Sequence, residues 1–432
     1  MSRFTDKVVI ITGGGSGIGL GAALKFADEN AKVVITGRSE NKLKDAIEEM
    51  KKTGAKDQNL FYIVSDVSTE EDAKRVVNET IKKFGKIDIL LNNAGVVSNP
   101  DCNNLQHIQT YDYVFSINVR GVILLSSEAI PHLIKTKGNI VNVSSIAPFY
   151  ATANATYYAM SKADQAYEWG GSGIGLGAAL KFADENAKVV ITGRSENKLK
   201  DAIEEMKKTG AKDQNLFYIV SDVSTEEDAK RVVNETIKKF GKIDVLLNNA
   251  GVVSNPDCNN LQHIQTYDYV FSINVRGVIL LSSEAIPHLI KTKGNIVNVS
   301  SIAPFYATAN ATYYAMSKAA LNSYTVSLAG KLAKDGVRAN LINPGLVRTP
   351  IFMQVKSEDG SKMTDESLSE VDEFCKKSVP MGRFGTPAEI ANHILFLASD
   401  QASFVTGSIN ISDGGYSVRS ACTVSHYDNI LV

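Results

Sequence analysis

The stretch Lys7-Val-Val-Ile-Ile-Thr-Gly-Gly-Gly-Ser-Gly-Ile-Gly19 decides how this chain folds. Val8 to Ile11 is apolar without alternation, as expected of a parallel strand covered on both faces. The glycines that follow predict a tight turn into a helix beginning near Ile18. They let the backbone approach a ligand closely, and the N–H groups at the helix start can face a pyrophosphate. Thr12, Gly13, Ser16, Gly17, Ile18 and Gly19 are the candidate contacts, although a glycine-rich string alone also suits a purely structural turn.

Outward from this turn, strand-like runs alternate with helical periodicity. Lys32 to Thr36, Leu60 to Val64, Ile87 to Leu91 and Asn139 to Val143 read as strands, and Leu43, Ile47 and Met50 mark a helix face. Ser68-Thr-Glu-Glu71 predicts a capping box for a helix that Gly85 closes. Val337 to Ile342 and Ser408 to Ile411 supply two later strands. Such alternation implies right-handed crossovers and helices on both faces of the sheet. The fold class is α/β, a doubly wound parallel sheet of the Rossmann type, partly duplicated.

The duplication is nearly verbatim. Offset by 156 positions, Gly14 to Ala163 matches Gly170 to Ala319, and Ile89 against Val245 is the one mismatch. Solenoid repeats are short and divergent, so this is a copied module rather than a repeat architecture. Removing one period leaves 276 residues, a comfortable size for one α/β domain. The copies differ at their edges. Ala163-Asp-Gln-Ala-Tyr-Glu168, where the second copy needs its first strand, is polar, and Glu168-Trp-Gly-Gly-Ser-Gly-Ile-Gly175 replaces the first turn glycine with Trp169. The first copy stops at Ala163 and lacks everything after Ala320. The expected division is therefore 1–169, a module without its last strands, and 170–432, a module without its first.

Composition narrows the function. Lys and Arg total 46 against 47 Asp and Glu, and net charge is -1, which gives no bulk attraction to nucleic acid or an anionic membrane. Apolar residues at 44% and charged residues at 22% suit a soluble globular protein. No uninterrupted apolar run approaches the roughly 20 residues of a membrane span. MSRFTDKVV has no signal-peptide core, so a cytoplasmic location is expected. Cys102, Cys258, Cys375 and Cys422 form no CxxC, and His107, His132 and His393 form no HExxH, so no metal site is expected.

Where an NAD-preferring site would place an acid about 20 residues past the fingerprint, this chain has Gly37-Arg38. Arg38, or its duplicate Arg194, can neutralise a 2′-phosphate and so favours NADP(H) over NAD(H), the alternative being a solvated surface arginine. Asp66-Val67 and Asp222-Val223 suit an adenine pocket, although the Asp equally suits a helix start. Asn92-Asn-Ala-Gly95 ends the fourth strand, with Asn92, Ala94 and Gly95 as candidates, and Asn118 follows in a helix. Ser145 closes the fifth strand before Tyr158-Ala-Met-Ser-Lys162, whose Tyr and Lys share a helix face. The duplicate set is Asn248, Ala250, Gly251, Asn274, Ser301, Tyr314 and Lys318, followed by Pro344, Gly345, Val347 and Thr349.

In this order and spacing the motifs resemble the classical short-chain dehydrogenase/reductase family, whose pattern TGxxxGxG, NNAG, Ser, YxxxK and PG they reproduce. The resemblance spans nearly the whole 276-residue remainder, through Asp413-Gly-Gly415. It implies hydride transfer between a nicotinamide cofactor and a small alcohol or carbonyl substrate. It also implies Tyr as acid or base, a neighbouring Lys that favours the phenolate, Ser as donor to the substrate oxygen, and a kink at Asn118 or Asn274 leading protons to Lys. Members of the family often form dimers or tetramers, and a homo-oligomer is the corresponding expectation. The segment Ile351 to Pro380 stands where the family places a substrate flap, or is a plain surface excursion.

Because the first copy owns the intact turn and the second owns the later strands, the expected site is composite. Thr12 to Gly19 would hold phosphates, and Ser301, Tyr314, Lys318 and Asn274 would catalyse, with Ser145, Tyr158, Lys162 and Asn118 as the duplicate set. The rival readings are a catalytically inactive nucleotide-binding scaffold and a mis-spliced form of a 276-residue reductase.

Overall fold

The computed structural model describes residues 3–102, 107–145, 147, 156–162, 173–255, 263–305, 311–349 and 365–417, the side chains of Ala159, Lys162 and 365–371 excepted. The Cys258 and Cys422 positions, the 351–364 part of the expected flap and the tail from 419 lie outside them. The chain divides into two compact units, Met1–Ala147 with Tyr157–Lys162, and Pro148–Thr156 with Ala163–Val432.

The first unit holds β1 (Val8–Thr12), α1 (Gly17–Asp28), β2 (Lys32–Gly37), α2 (Glu40–Lys52), β3 (Leu60–Val64), α3 (Glu70–Phe84), β4 (Ile89–Asn92), α4 (Ile108–Phe115), α5 (Gly121–Thr136), β5 (Asn139–Asn142) and the Tyr158 helix, α6 (Thr156–Lys162). Its sheet runs β3-β2-β1-β4-β5, all parallel. β1 is central, with Ile10 opposite Val34 on one side and Leu90 on the other. Every residue of β1 is buried, as its unbroken apolar run requires. Its outermost amide is fixed by charge: Val8 N–H donates to the buried Asp88 carboxylate, which also receives Lys7 and Lys86.

Helix starts and stops follow their residues with one shift. Thr69, not Ser68, caps α3, and its hydroxyl accepts from Asp72 N–H, while Gly85 ends the helix in the left-handed conformation at φ 78°. Between α4 and α5 the chain winds one π-helical stretch, Ser116–Arg120, with Asn118 at its middle. This is the kink expected from the motif. The helical run Ile108–Thr136 and its duplicate Ile264–Thr292, 29 residues each, are apolar enough to cross a membrane by composition, with 50% and 67% of their most apolar windows buried in the protein.

The second unit holds α7 (Gly173–Asp184), β6 (Val189–Gly193), α8 (Glu196–Lys208), β7 (Leu216–Val220), α9 (Glu226–Phe240), β8 (Val245–Asn248), α10 (Ile264–Phe271), α11 (Val278–Thr292), β9 (Asn295–Val299), α12 (Thr312–Leu332), β10 (Arg338–Pro344), α13 (Asp365–Ser378), α14 (Pro387–Ala398) and β11 (Ile409–Ser412). Its strands form two parallel sheets, β6-β7 and β11-β10-β9-β8. Among the described residues no strand joins β6 to β8, the place that β1 fills between β2 and β4. Instead α7 bridges the halves: Ile174 and Ala178 pack with Val297, Val299 and Ile390, while Ala179 and Ala183 pack with Val189 and Met206. Phe182 touches both clusters.

Burial records what each copy lacks. The interior of β2 is fully buried and β4 wholly so, whereas four residues of β6 and three of β8 are only half-buried. Asp244, the duplicate of Asp88, is exposed and pairs with Lys242. Conversely β9 is buried throughout beneath β10, while every residue of β5 is exposed.

The composite site is corrected by this topology. β1 threads the sheet of the first copy, pairing with β2 and β4, and pairs with no strand of the sheet beside the Tyr314–Lys318 helix. In the first copy Asp88 holds Val8 N–H, and Thr12 is bonded by the residues directly after β4.

Candidate active site

In the first unit the turn after β1 is built by glycines for definite reasons. A β-carbon on Gly14 would lie 2.6 Å from Ile35, and one on Gly19 would lie 2.4 Å from the Gly13 oxygen. Gly13 and Gly17 adopt φ of 65° and 56°, which only glycine takes without strain. Around Gly17 nothing stands within 4 Å of the missing β-carbon, and the adjoining Ile18 is 70% exposed. Ser16 is extended and its side chain makes no capping bond, so the first amides of α1 are not satisfied by their cap. Space, apolar surface and donors thus meet at one corner.

Asn93 holds that corner and was not among the residues singled out from sequence. Its amide N–H and that of Ala94 donate to Thr12 Oγ1, both at 2.9 Å, and its Nδ2 donates to the Thr12 carbonyl at 2.9 Å. The second asparagine of Asn92-Asn-Ala-Gly95 was the available signal. Asn92 itself does other work: buried, it donates to Asn142 Oδ1 and Ser126 Oγ, tying β4 to β5 and α5.

The other candidates of this unit fall as follows. Arg38 is exposed, donates to Tyr113 OH at 2.9 Å and lies 5.9 Å from that ring. The Tyr113 hydroxyl raises its pKa further, so its charge is permanent. Asp66 Oδ1 accepts from Ser68 N–H and Oγ, the helix-start use, and Val67 packs against Gly121 of α5. Asn118 Oδ1 accepts from Val96 N–H at 2.7 Å, and its Nδ2 donates to the Val96 carbonyl and to Ser161 Oγ at 2.8 Å each. Ser145 Oγ accepts from Ala147 N–H. Tyr157 is buried edge-on against Tyr111, while Tyr158 is half-buried. α6 has 7 residues against 21 in α12.

The second unit repeats the catalytic half in a tighter setting. Tyr314 and Lys318 are completely enclosed, and Lys318 Nζ donates to the Val299 carbonyl at 2.8 Å and sits 5.5 Å from the Tyr314 ring. Burial pushes the Lys318 pKa down to about 7, so at neutral pH its charge is half lost. Asn274 bonds Val252 and Ser317 as Asn118 bonds Val96 and Ser161. Ser301 is held at its carbonyl by Asn343 Nδ2 at 2.6 Å. Asn343, which opens the Asn343-Pro-Gly345 motif, carries no role read from the sequence. Arg194 repeats the bond to Tyr269 at 3.2 Å, and Asp222 repeats the bonds to Ser224. Val223 packs on Gly277, and Asn248 is buried against Asn298 and Ser282. Ala250 and Gly251 follow β8.

The described start of α7 is crowded. A β-carbon on Gly173, the duplicate of Gly17, would meet Thr349 Cγ2 at 2.5 Å. Pro344 and Gly345 close on Asp413, a β-carbon on Gly345 falling 2.6 Å from its Cβ, and Val347 is core. The residues of the first unit therefore fit a nicotinamide dinucleotide, with Ser16, Gly17 and Ile18 amides for phosphates, whereas among the described residues of the second Thr349 takes that space. Among the described residues no three His, Cys, Asp or Glu side chains are grouped to hold a metal ion.

A glycine-turned doubly wound fold with a Tyr-x-x-x-Lys helix defines a nicotinamide-dependent oxidoreductase. The chain belongs to the short-chain dehydrogenase/reductase family. The family described as short chain dehydrogenase matches residues 7–165, and the one described as Enoyl-(Acyl carrier protein) reductase matches residues 170–417. The chain is 35% identical to the 3-oxoacyl-[acyl-carrier-protein] reductase FabG of Thermotoga maritima over 56% of its own length and 93% of that enzyme's. It is 33% identical to the L-fucose dehydrogenase of Bos taurus over 57% of its own length and 86% of the relative's. The apo-form glucose dehydrogenase structure of Caenorhabditis elegans aligns with 37% identity and a TM-score of 0.48, over 57% of this chain and 93% of that one.

Proposed function

We propose that the first unit is the working half, an NADP(H)-dependent reductase that interconverts a secondary alcohol and a ketone or aldehyde. The observation carrying this is that one unit contains both the open glycine corner and the Tyr158–Lys162 helix, the corner held by Asn93 of the Asn-Asn-Ala-Gly loop and the helix tied by Asn118 to Val96 just beyond that loop. The amides at Ser16 to Ile18 would hold the phosphates, Arg38 would pair with a 2′-phosphate, and Asp66 with Val67 would border the adenine. The bound nicotinamide supplies or accepts the hydride. Ser145 donates to the substrate oxygen, so charge gathering there meets a donor already in place. Tyr158 gives that oxygen a proton in reduction and takes one in oxidation.

The paired variants Tyr158→Phe and Tyr314→Phe test this with NADPH and a generic diketone. Turnover is expected to fall far more in Tyr158→Phe, and the reverse ordering transfers the chemistry to the second unit. A second reading, a catalytically inactive scaffold, is favoured for the second unit by Thr349 against Gly173.

A further inference from the structure

A serine one residue before the lysine occupies the same hydrogen-bonded position in both copies. Ser161 Oγ donates to the Tyr158 carbonyl at 2.8 Å and accepts from Asn118 Nδ2 at 2.8 Å. In the second unit Ser317 Oγ donates to the Tyr314 carbonyl and accepts from Asn274 Nδ2 at 2.9 Å. Each asparagine also grips one residue beyond the Asn-Asn-Ala-Gly loop at both its N–H and its carbonyl, Val96 in one unit and Val252 in the other. The polarity of this chain is fixed. The asparagine oxygen must face the valine N–H, which leaves its NH2 for the valine carbonyl and the serine, and the serine proton for the tyrosine carbonyl.

A helix gains nothing intrinsic from such a serine. A hydroxyl bonded back to its own helix competes with backbone bonding and bends the helix. The π-helical turn around Asn118 is likewise a form that clusters at functional sites. Both local costs fall on the two segments that the hydrogen bonds join. Ser161 and Asn118 are buried, at 8% and 4% exposure, so water does not substitute for either partner.

We infer that Ser161, with Ser317 its counterpart, is a positioning residue that sets the height of the catalytic tyrosine above the Asn-Asn-Ala-Gly loop by locking the first turn of its helix to the π-turn asparagine. It touches no reacting atom. It acts through the carbonyl of the tyrosine on one side and through Asn118 and Val96 on the other. The inference rests on the functional reading given for the first unit.

The test uses the full-length chain. Ser161→Ala keeps the helix but removes the link, and kcat is expected to fall about 10- to 100-fold, the loss a displaced catalytic group produces, with NADPH affinity unchanged. The pH–rate profile should move, because the height of the phenol is no longer fixed. Ser161→Thr keeps donor and acceptor and should restore kcat and profile. An unmoved profile in Ser161→Ala, or a loss that Thr fails to repair, overturns the inference. Hydrogen exchange at the Val96 amide separates this from failure of the functional reading. It should quicken in Ser161→Ala and recover in Ser161→Thr even in a chain without turnover, and unchanged exchange overturns the coupling.

Discussion

Thr349 Cγ2 stands 2.5 Å from the point a β-carbon on Gly173 would occupy, while around Gly17, the same residue of the first copy, there is nothing within 4 Å. Identical glycine-rich helix starts therefore face opposite surroundings. One keeps room for phosphates at its amides, and the other is filled by a side chain of its own unit.

Dinucleotide binding should consequently follow the first turn. Gly19→Ala places a methyl 2.4 Å from the Gly13 oxygen. NADPH affinity, measured by nucleotide fluorescence, is expected to fall at least about tenfold, ~1.4 kcal/mol. Gly175→Ala, in the closed corner, should leave it unaltered, and equal losses would remove the distinction between the turns.

Coenzyme preference should rest on Arg38. Its loss removes charge-assisted bonds worth about 1.5–3 kcal/mol, so Arg38→Ala should reduce the ratio of NADPH to NADH affinity by roughly 10- to 100-fold. Arg194→Ala should not change that ratio. Titration of both nucleotides against both variants decides it.

Asp88 should carry stability that Asp244 does not. Asp88→Ala strips the buried Val8 N–H of its acceptor, at a cost of about 1–3 kcal/mol, whereas Asp244→Ala removes an exposed group worth within about 0.5 kcal/mol. Burial alone would lift the Asp88 pKa, but bonds from Lys86, Val8 N–H and Lys7 hold it below the usual carboxylate value. Its contribution is therefore present above the unfolded pKa near ~4 and fades as pH falls through the depressed value. The gap between wild type and Asp88→Ala, read by hydrogen exchange in β1, should narrow at acid pH.

Lys318 has the opposite pH signature. Folded it titrates at about 7, against ~10.4 when unfolded. Between those values the unfolded chain holds a proton that the folded one lacks, so stability rises with pH by up to ~1.4 kcal/mol per unit. Thermal melting of the second unit should improve from pH 7 to pH 9, and Lys318→Met should flatten that slope. A wild-type melt indifferent to pH would refute the buried neutral lysine.

The alternation of strands, the glycine turn and the order of motifs were legible in the sequence because each depends on local periodicity or on a backbone demand only glycine meets. β3, predicted as Leu60 to Val64, has those bounds, and α1 begins one residue from Ile18. What stayed hidden was the choice between two nearly identical partners for β1. Strand propensity cannot distinguish β2 from β6, and Ile89 against Val245 is a difference of one methylene. Asp88 and Asn93, which hold β1, have identical duplicates in Asp244 and Asn249, so the choice lies in chain connectivity: β1 runs through α1 directly into β2. The roles of Asn93 and Asn343 escaped for a related reason: they bond main chain across distant segments, which spacing along the chain does not register, and Ser161 is reached by the side chain of the equally distant Asn118.

β5 presents Asn139 to Asn142 with no described neighbour on its outer side, and Ile140 and Val141 are 38% and 48% exposed. A bare apolar rim of this kind templates growth by strand addition. Chains that collide edge-on can zip together, so the truncation that cost the first copy its last strands sets a ceiling on usable concentration. Purification should be dominated by self-association long before thermal unfolding becomes limiting, and a lysine at Val141 should act as a gatekeeper against it.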